Sequence, residues 1–408
     1  MENKLKEYAQ LLIEVGLSVK PGQNLVIASP IDCAPFARLC ASAAYDVGCR
    51  EVILNWSDDY MTREKYLRAA EDVFDTIPQW RADFFETYSK EGTPYLSIYA
   101  TDPENLKGVD PNRLTRAEIA SGKAMEGFRE RQMKGGFPWC IASVPTQSWA
   151  AKVFPKLPKE EAEKSLWKAI FRTVRVGGDG KAVKRWEEHI AALSRRKKIL
   201  TEYQFKKLHY QNDIGTDLWV ELPEDHYWEA GSERTTSGEE FCANMPTEEI
   251  FTAPKRTGVN GTVVASMPLV ENGNIIEGIR LILKDGKIIE AHADTGEDIL
   301  RHAISVDEGA AYLGEVALVP CQSPIAEEGI LFYNTLFDEN ASCHFAFGDA
   351  YPCIQGGADM TKEERLSRGL NSSITHVDFM VGTKDLSIIG VTAEGEEIPV
   401  FINGNFAF

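Results

Sequence analysis

The sequence predicts an α/β fold: an N-terminal parallel-sheet α/β domain over residues 1–210, then a strand-rich mixed α+β domain over residues 211–408. Three observations carry this. In the first half, short apolar runs alternate with helix-length segments, the pattern of a parallel sheet with crossover helices. After Gln211 the runs shorten and glycine-bearing turns separate them. Six of the seven histidines lie at or after residue 209, which marks the second half as the place to look for chemistry. A chain of 408 residues is long enough for two hydrophobic cores.

Taken in order, residues 4–15 read as an amphipathic helix with Leu5, Tyr8, Leu11 and Leu12 on one face. K-P-G-Q turns the chain into a strand over 24–28. A helix over 30–47, a strand over 51–56 and a helix over 62–74 follow. Strands are expected over 95–100 and 139–144, with a helix between them over 116–131. Two helices, 160–173 and 181–203, are separated by V-G-G-D-G, which reads as a plain turn because no strand feeds it. Neither G-x-G-x-x-G nor G-x-x-x-x-G-K is present, so nothing supports a nucleotide cradle. In the second half, V-E-N-G-N, K-D-G-K, A-E-G-E and I-N-G-N are hairpin signals. Strands are expected over 217–222, 263–267, 279–283, 287–292, 388–392 and 398–402, with one helix over 306–313.

Composition narrows the function. The 44 basic and 62 acidic residues leave a formal charge of −18, which argues against a nucleic-acid partner. No apolar stretch is long enough to span a bilayer, so no membrane partner is expected. The opening M-E-N-K-L-K-E-Y-A-Q has no basic region leading into an apolar run, so no secretory signal is expected. Eight dispersed cysteines without a C-x-x-C pair suit a reducing, cytoplasmic compartment.

The candidate chemistry lies in a few late stretches. S-I-T-H-V-D-F-M-V reads as a strand, and period-two alternation then puts His376 and Asp378 on one face. F-D-E-N-A-S-C-H-F-A-F-G-D-A-Y carries Glu339, His344 and Tyr351 among aromatic and small residues, suitable lining for a pocket. Tyr351 offers a hydroxyl to a developing oxyanion or to a buried carboxylate. Glu315 sits in an apolar run where a carboxylate needs a compensating partner. Glu249 follows Glu248 in P-T-E-E, and local composition does not choose between them. Together these residues supply ligands for two nearby divalent cations, with Glu315 or Glu339 able to bridge. Zinc, cobalt, manganese and magnesium all fit such donors. Lone histidines elsewhere (His189, His209, His226, His292, His302) read as ordinary helix, surface or core residues. With no G-x-S-x-G elbow, a serine nucleophile is disfavoured, and Cys343 reads as packing.

At these residues the chain resembles the M29 aminopeptidase family, of the aminopeptidase T and S type. The blocks V-G-L-S-V-K-P-G-Q-N-L-V-I, N-M-P-T-E-E-I-F-T-A-P, D-E-G-A-A-Y-L-G-E-V-A-L-V-P, F-D-E-N-A-S-C-H-F-A-F-G-D-A-Y and T-H-V-D-F-M-V-G carry the likeness over nearly all of the chain. The resemblance implies a ligand set of Glu249, Glu315, Glu339, His344, His376 and Asp378 for two metal ions per subunit. It also implies Tyr351 as an active-site tyrosine, a homodimer, and release of N-terminal amino acids from peptide substrates. Glu315 is the first choice to carry a proton from water to the leaving amine. A two-metal phosphoesterase or amidase, and a noncatalytic peptide-binding protein, are the competing readings.

Overall fold

The computed structural model describes residues 1–271 and 274–408. Strands Asn24–Pro30, Glu51–Ser57, Tyr95–Ile98 and Trp139–Ala142 lie parallel in one five-stranded sheet, as the alternation predicted. Its fifth member is the short strand Asn244–Met245, which pairs parallel with Trp139–Ala142. The chain therefore returns to the first sheet long after residue 210.

Contacts divide the chain into two compact units, Met1–Glu188 with Ser232–Pro246, and His189–Gly231 with Thr247–Phe408. The boundary at residue 210 that local pattern suggested falls within His189–Gly231. The helix Ala182–Tyr203 contains the first crossing, and the returning strand makes two more. Pairing of a two-residue strand with a partner a hundred residues earlier leaves no local signature.

The second unit is built from two antiparallel sheets. Eight strands form one, including Lys207–Gln211, Asp217–Glu221, Val259–Val264 and Ser387–Val391. Five form the other, in the spatial order His376–Met380, His344–Gly348, Leu313–Leu318, Ile250–Thr252, Glu229–Ala230. Apolar side chains from both fill one buried core. Tyr210 of the larger sheet packs on Phe345 of the smaller with ring centroids 5.0 Å apart. The strands flanking V-E-N-G-N pair Glu271 with Asn274; its central Asn272 and Gly273 lie outside the described residues.

One expected helix is absent. Residues 306–313 form a 3-10 turn over Gly309–Ala311 and the start of the strand Leu313–Leu318, while a helix lies earlier, at Glu297–Ala303. The Asp307 carboxylate accepts hydrogen bonds from Ala310 N–H, Ile374 N–H and the Ser373 hydroxyl, which tie this segment to a distant one. A Cβ at Gly309 would lie 1.9 Å from Ser372 O, so the turn is packed too tightly to relax into a helix with any other residue.

Candidate metal centre

The five-stranded sheet divides its side chains by period-two alternation. Val316, Phe345, Phe347, Val377 and Phe379 point into the shared core. Glu315, His344, His376 and Asp378 alternate with them and leave the other face. Register then brings them together: Glu315 and Asp378 each stand opposite Ala346 on the strand between theirs. A bulge between Leu313 and Glu315 sets the position of Glu315. The adjoining Gly314 cannot be replaced without conflict, since a Cβ there would lie 2.1 Å from Asp349 O.

Two triads result. In the first, Glu249, Glu315 and His344 are all buried, with ligand atoms within 4.8 Å of one another. His344 Nε2 lies 3.2 Å from Glu249 Oε2 and 3.9 Å from Glu315 Oε1. In the second, His376 Nε2 lies 3.1 Å from Glu315 Oε2 and 3.4 Å from Asp378 Oδ1. Glu315 belongs to both, one oxygen toward each histidine. The His376 side chain is 28% exposed and that of His344 1%, so the second triad is the one nearer solvent.

Each imidazole is held by its other nitrogen. His344 Nδ1–H donates to Ser342 O at 3.0 Å, and His376 Nδ1–H donates to Asp349 O at 2.8 Å. That fixes both tautomers and aims the Nε2 lone pairs at the acids, as in metal-ligating histidines. Tyr351 stands edge-on to His376, ring centroids 5.6 Å apart, and packs on Phe251.

The electrostatics ask for cations. Among the described residues no lysine or arginine pairs with Glu249, Glu315, Glu339 or Asp378, and the two histidines are the only basic groups facing them. Without metal, protons do the balancing. Burial opposes charge on His344, but the Glu249 hydrogen bond and the charges of Glu249, Asp378 and Glu315 raise it to about 10. Burial likewise opposes charge on His376, and Asp378 and Glu315 hold it well above the usual imidazole range. Burial raises the Glu315 carboxyl, helped by Asp378 and Glu249. Burial also works against Asp378, yet the charge of His376 beside it brings it below its ordinary value. The buried Asp378 Oδ1 receives no hydrogen bond of ordinary geometry. Carboxylate and imidazole donors around a shared glutamate, with an under-satisfied buried oxygen, fit two divalent cations.

Comparison with known proteins gives the same answer. Residues 1–406 match the family model described as thermophilic metalloprotease (M29). The chain belongs to the M29 metallopeptidases. Aminopeptidase AmpS of Bacillus subtilis (strain 168) is 45% identical over 406 residues, 99% of this chain and 98% of that protein. Aminopeptidase 2 of Geobacillus stearothermophilus is 44% identical, over 100% of this chain and 98% of that protein. The solved structure of wild-type AmpT from Thermus thermophilus superposes with a TM-score of 0.94 at 37% identity, covering 100% of both chains.

In this M29 chain the other candidates fall as follows. Glu339 lies in the turn Glu339–Ala341, outside both triads. It is half-buried; desolvation and the charges of Asp378 and Glu249 push its carboxyl well above the usual range. Glu248 points away from the triads, its Oε2 3.7 Å from His189 Nε2. His209 pairs with Asp217, and His226 Nδ1–H donates to Pro223 O. His292 faces Glu290 and Glu297 on the surface.

Sequence reasoning passed over two residues that shape the centre. Asn340 is fully buried; its Oδ1 accepts the Glu248 N–H at 2.8 Å, and its Nδ2 donates to Glu339 Oε1 at 3.3 Å and to Leu336 O at 3.0 Å. It thus ties the segment carrying Glu249 to the turn carrying Glu339. His189 Nε2–H donates to Thr247 O at 2.8 Å, holding the same segment from the other side. Adjacency to Glu339 was the available signal for Asn340; His189 had none, being 58 residues from its partner.

Proposed function

We propose that this chain is an aminopeptidase that releases the N-terminal residue of peptides by hydrolysis, with one divalent cation on each triad. The observation that carries the reading is Glu315, buried in an apolar strand yet shared by two ligand clusters. Glu249 and His344 would hold one cation, His376 and Asp378 the other, with Glu315 spanning both. When bound, the cations supply Lewis acidity that lowers the pKa of water and polarises the scissile carbonyl.

The protein's own groups do the rest. Ser342 O and Asp349 O hold the imidazoles in orientation. Tyr351, beside His376, donates its O–H to the substrate oxygen as negative charge builds there. With an oxygen toward each histidine, Glu315 would be taken up in holding both cations, which leaves Glu339 for proton transfer. That carboxyl is half-buried and outside the triads; as the carboxylate it takes a proton from the attacking water and returns it to the leaving amine.

Two further assignments go with this one. Among the described residues no helix is long and apolar enough to cross a membrane, and all eight cysteines are free, which supports a reducing cytoplasmic location. A homodimer is supported by the edge strand Glu51–Ser57, which among the described residues pairs with a strand on one side alone and carries exposed Leu54 and Trp56. Light scattering of the purified chain, with Trp56→Glu expected to weaken the dimer, tests that assignment.

The central experiment compares peptides with free and acetylated N-termini after loading with zinc, cobalt, manganese or magnesium in turn. Release of the first amino acid from the free peptides alone supports the proposal. Cleavage of phosphate esters but not peptides would replace it with a phosphoesterase, and binding without turnover under every metal would make the chain a binding protein.

A further inference from the structure

The ladder between the strands His344–Gly348 and His376–Met380 has a ligand histidine at each end: His344 stands opposite Met380, and His376 opposite Gly348. Strand ends are where pairing opens most readily. Yet the two carbonyls that hold the imidazoles lie just past those ends, Ser342 O before His344 and Asp349 O after Gly348. Something beyond the ladder has to pin them.

A different buried side chain closes each end. At the His344 end, the Ser342 hydroxyl accepts Gly382 N–H at 2.9 Å and donates to Gly382 O at 3.2 Å or Cys343 O at 3.1 Å. Gly382 runs on from the strand opposite, so the hydroxyl adds a rung where the ladder stops. At the His376 end, the Asn371 amide Nδ2 donates to Gly348 O at 2.6 Å and to Gly309 O at 2.8 Å. Arg256 Nε–H donates to Asn371 Oδ1 at 3.0 Å, and its guanidinium lies 4.0 Å from the centre of the Tyr312 ring. The amide is thereby fixed in the orientation that faces both carbonyls. Gly348 O belongs to the peptide unit that leads into Asp349, and Asp349 N–H donates to Thr375 O at 2.7 Å. Both Ser342 and Asn371 are buried, and neither belongs to a triad.

We infer that Ser342 and Asn371 are positioning residues that each serve one cation. Ser342 serves the ion of Glu249, Glu315 and His344; Asn371 serves the ion of Glu315, His376 and Asp378. The inference rests on the two-cation reading above and adds that the two metal affinities are set separately, from opposite ends of one ladder. Without the Ser342 hydroxyl, Ser342 O can turn from His344 Nδ1, while the far end of the ladder still holds His376. Without the Asn371 amide, the Gly348–Asp349 peptide loosens and frees His376, while His344 keeps its support. A loosened imidazole aims its Nε2 lone pair less well, so affinity falls although every donor atom is present.

The test titrates the full chain, stripped of metal by chelator and dialysis, with cobalt(II) and follows its visible absorption. Glu249→Ala removes a donor from the first triad alone and Asp378→Ala from the second alone, so each leaves one triad complete. In the Asp378→Ala chain, Ser342→Ala should weaken cobalt binding by about ten- to a hundredfold and Asn371→Ala by less than about twofold. In the Glu249→Ala chain the order should reverse. In the otherwise wild-type chain, each substitution should weaken one of the two binding steps and spare the other, which decides the case if a single-triad chain takes up no cobalt. Arg256→Gln leaves Asn371 in place but unlocks its amide. It should act on the Glu249→Ala chain alone, by a smaller factor, and decides that half if Asn371→Ala does not fold. A merely structural role would weaken both triads alike. Equal losses at the two triads, or no loss at either, overturn the inference while two cobalt ions bound by wild type keep the two-cation reading. If wild type binds fewer than two, that reading falls and takes this one with it.

Discussion

Two regions of this molecule crowd acids together, and they answer the crowding differently. In the first unit Glu71 and Asp75 meet Arg113 and Arg116; Arg116 reaches Asp75 Oδ2 at 2.7 Å and Glu71 Oε2 at 2.8 Å. The guanidinium hydrogen bonds hold both carboxyls below their ordinary values, with solvent all around. In the second unit Glu249, Glu315 and Asp378 meet only imidazoles among the described residues, with Glu249 and Glu315 buried. A guanidinium keeps its charge at any physiological pH and completes the structure. An imidazole can give up its proton and then offers a lone pair. Arginine-answered acids are finished; histidine-answered acids leave room for a cation.

The largest effect should come from breaking the shared residue. Glu315→Gln keeps the shape and removes the charge common to both triads. Peptide hydrolysis should fall by about a thousandfold or more, the upper end for losing one group that stabilises the transition state. Bound metal, measured by elemental analysis of the dialysed protein, should drop from two ions per chain to one or none. Asp75→Asn in the first unit should leave both readings unchanged. If Glu315→Gln retained two ions and full turnover, the two acid clusters would be functionally alike and the comparison would fail.

Next are the groups that act on substrate without belonging to a triad. Tyr351→Phe and Glu339→Gln should each lower kcat by about a hundredfold with metal content intact. Glu339→Gln should also flatten one limb of the pH–rate profile, since it removes a titrating carboxyl. Loss of metal in Glu339→Gln would instead make that residue a ligand. Asn340→Ala should cost about tenfold in metal affinity, because it frees the Glu249 segment without removing a donor atom. Binding measured by competition with a chelator checks this, and unchanged affinity would mean the buried asparagine only packs.

How much of this could be read from the chain depends on the range of the forces involved. The same-face placement of His376 and Asp378 was legible because strand periodicity is local, and the Ile250–Thr252, His344–Gly348 and His376–Met380 strands obey it. Glu315 was legible as an anomaly, a carboxylate in an apolar run. The strand that carries it was not, because its start depends on Asp307 reaching Ser373 and Ile374. Glu339 was named among the ligands, and it lies in the turn Glu339–Ala341 within reach of the charges of Asp378 and Glu249; spacing of five from His344 does not reveal which way a turn aims its side chain. Which segment returns to the first sheet, Asn244–Met245, was hidden for the same reason, since only pairing across the fold creates it.

The smallest effect, and the one that sharpens the comparison most, is the pH dependence of stability with and without metal. In the metal-free protein His344 is raised to about 10, against about 6.5 in an unfolded chain. A folded value above the unfolded one means the native state binds the extra proton between those limits. Its contribution to stability is therefore complete below about pH 6.5 and is lost as pH rises toward 10. His376 is shifted the same way and adds to the slope. The metal-free Tm should accordingly decline across that window. With zinc bound, rising pH removes the protons that compete for the two Nε2 atoms, so metal affinity grows and the gap between loaded and metal-free Tm should widen. Calorimetry at pH 6, 7, 8 and 9, with and without chelator, measures both curves. A gap constant with pH would mean that metal does not displace these protons, and that the histidines answer the acids as permanently as the arginines do.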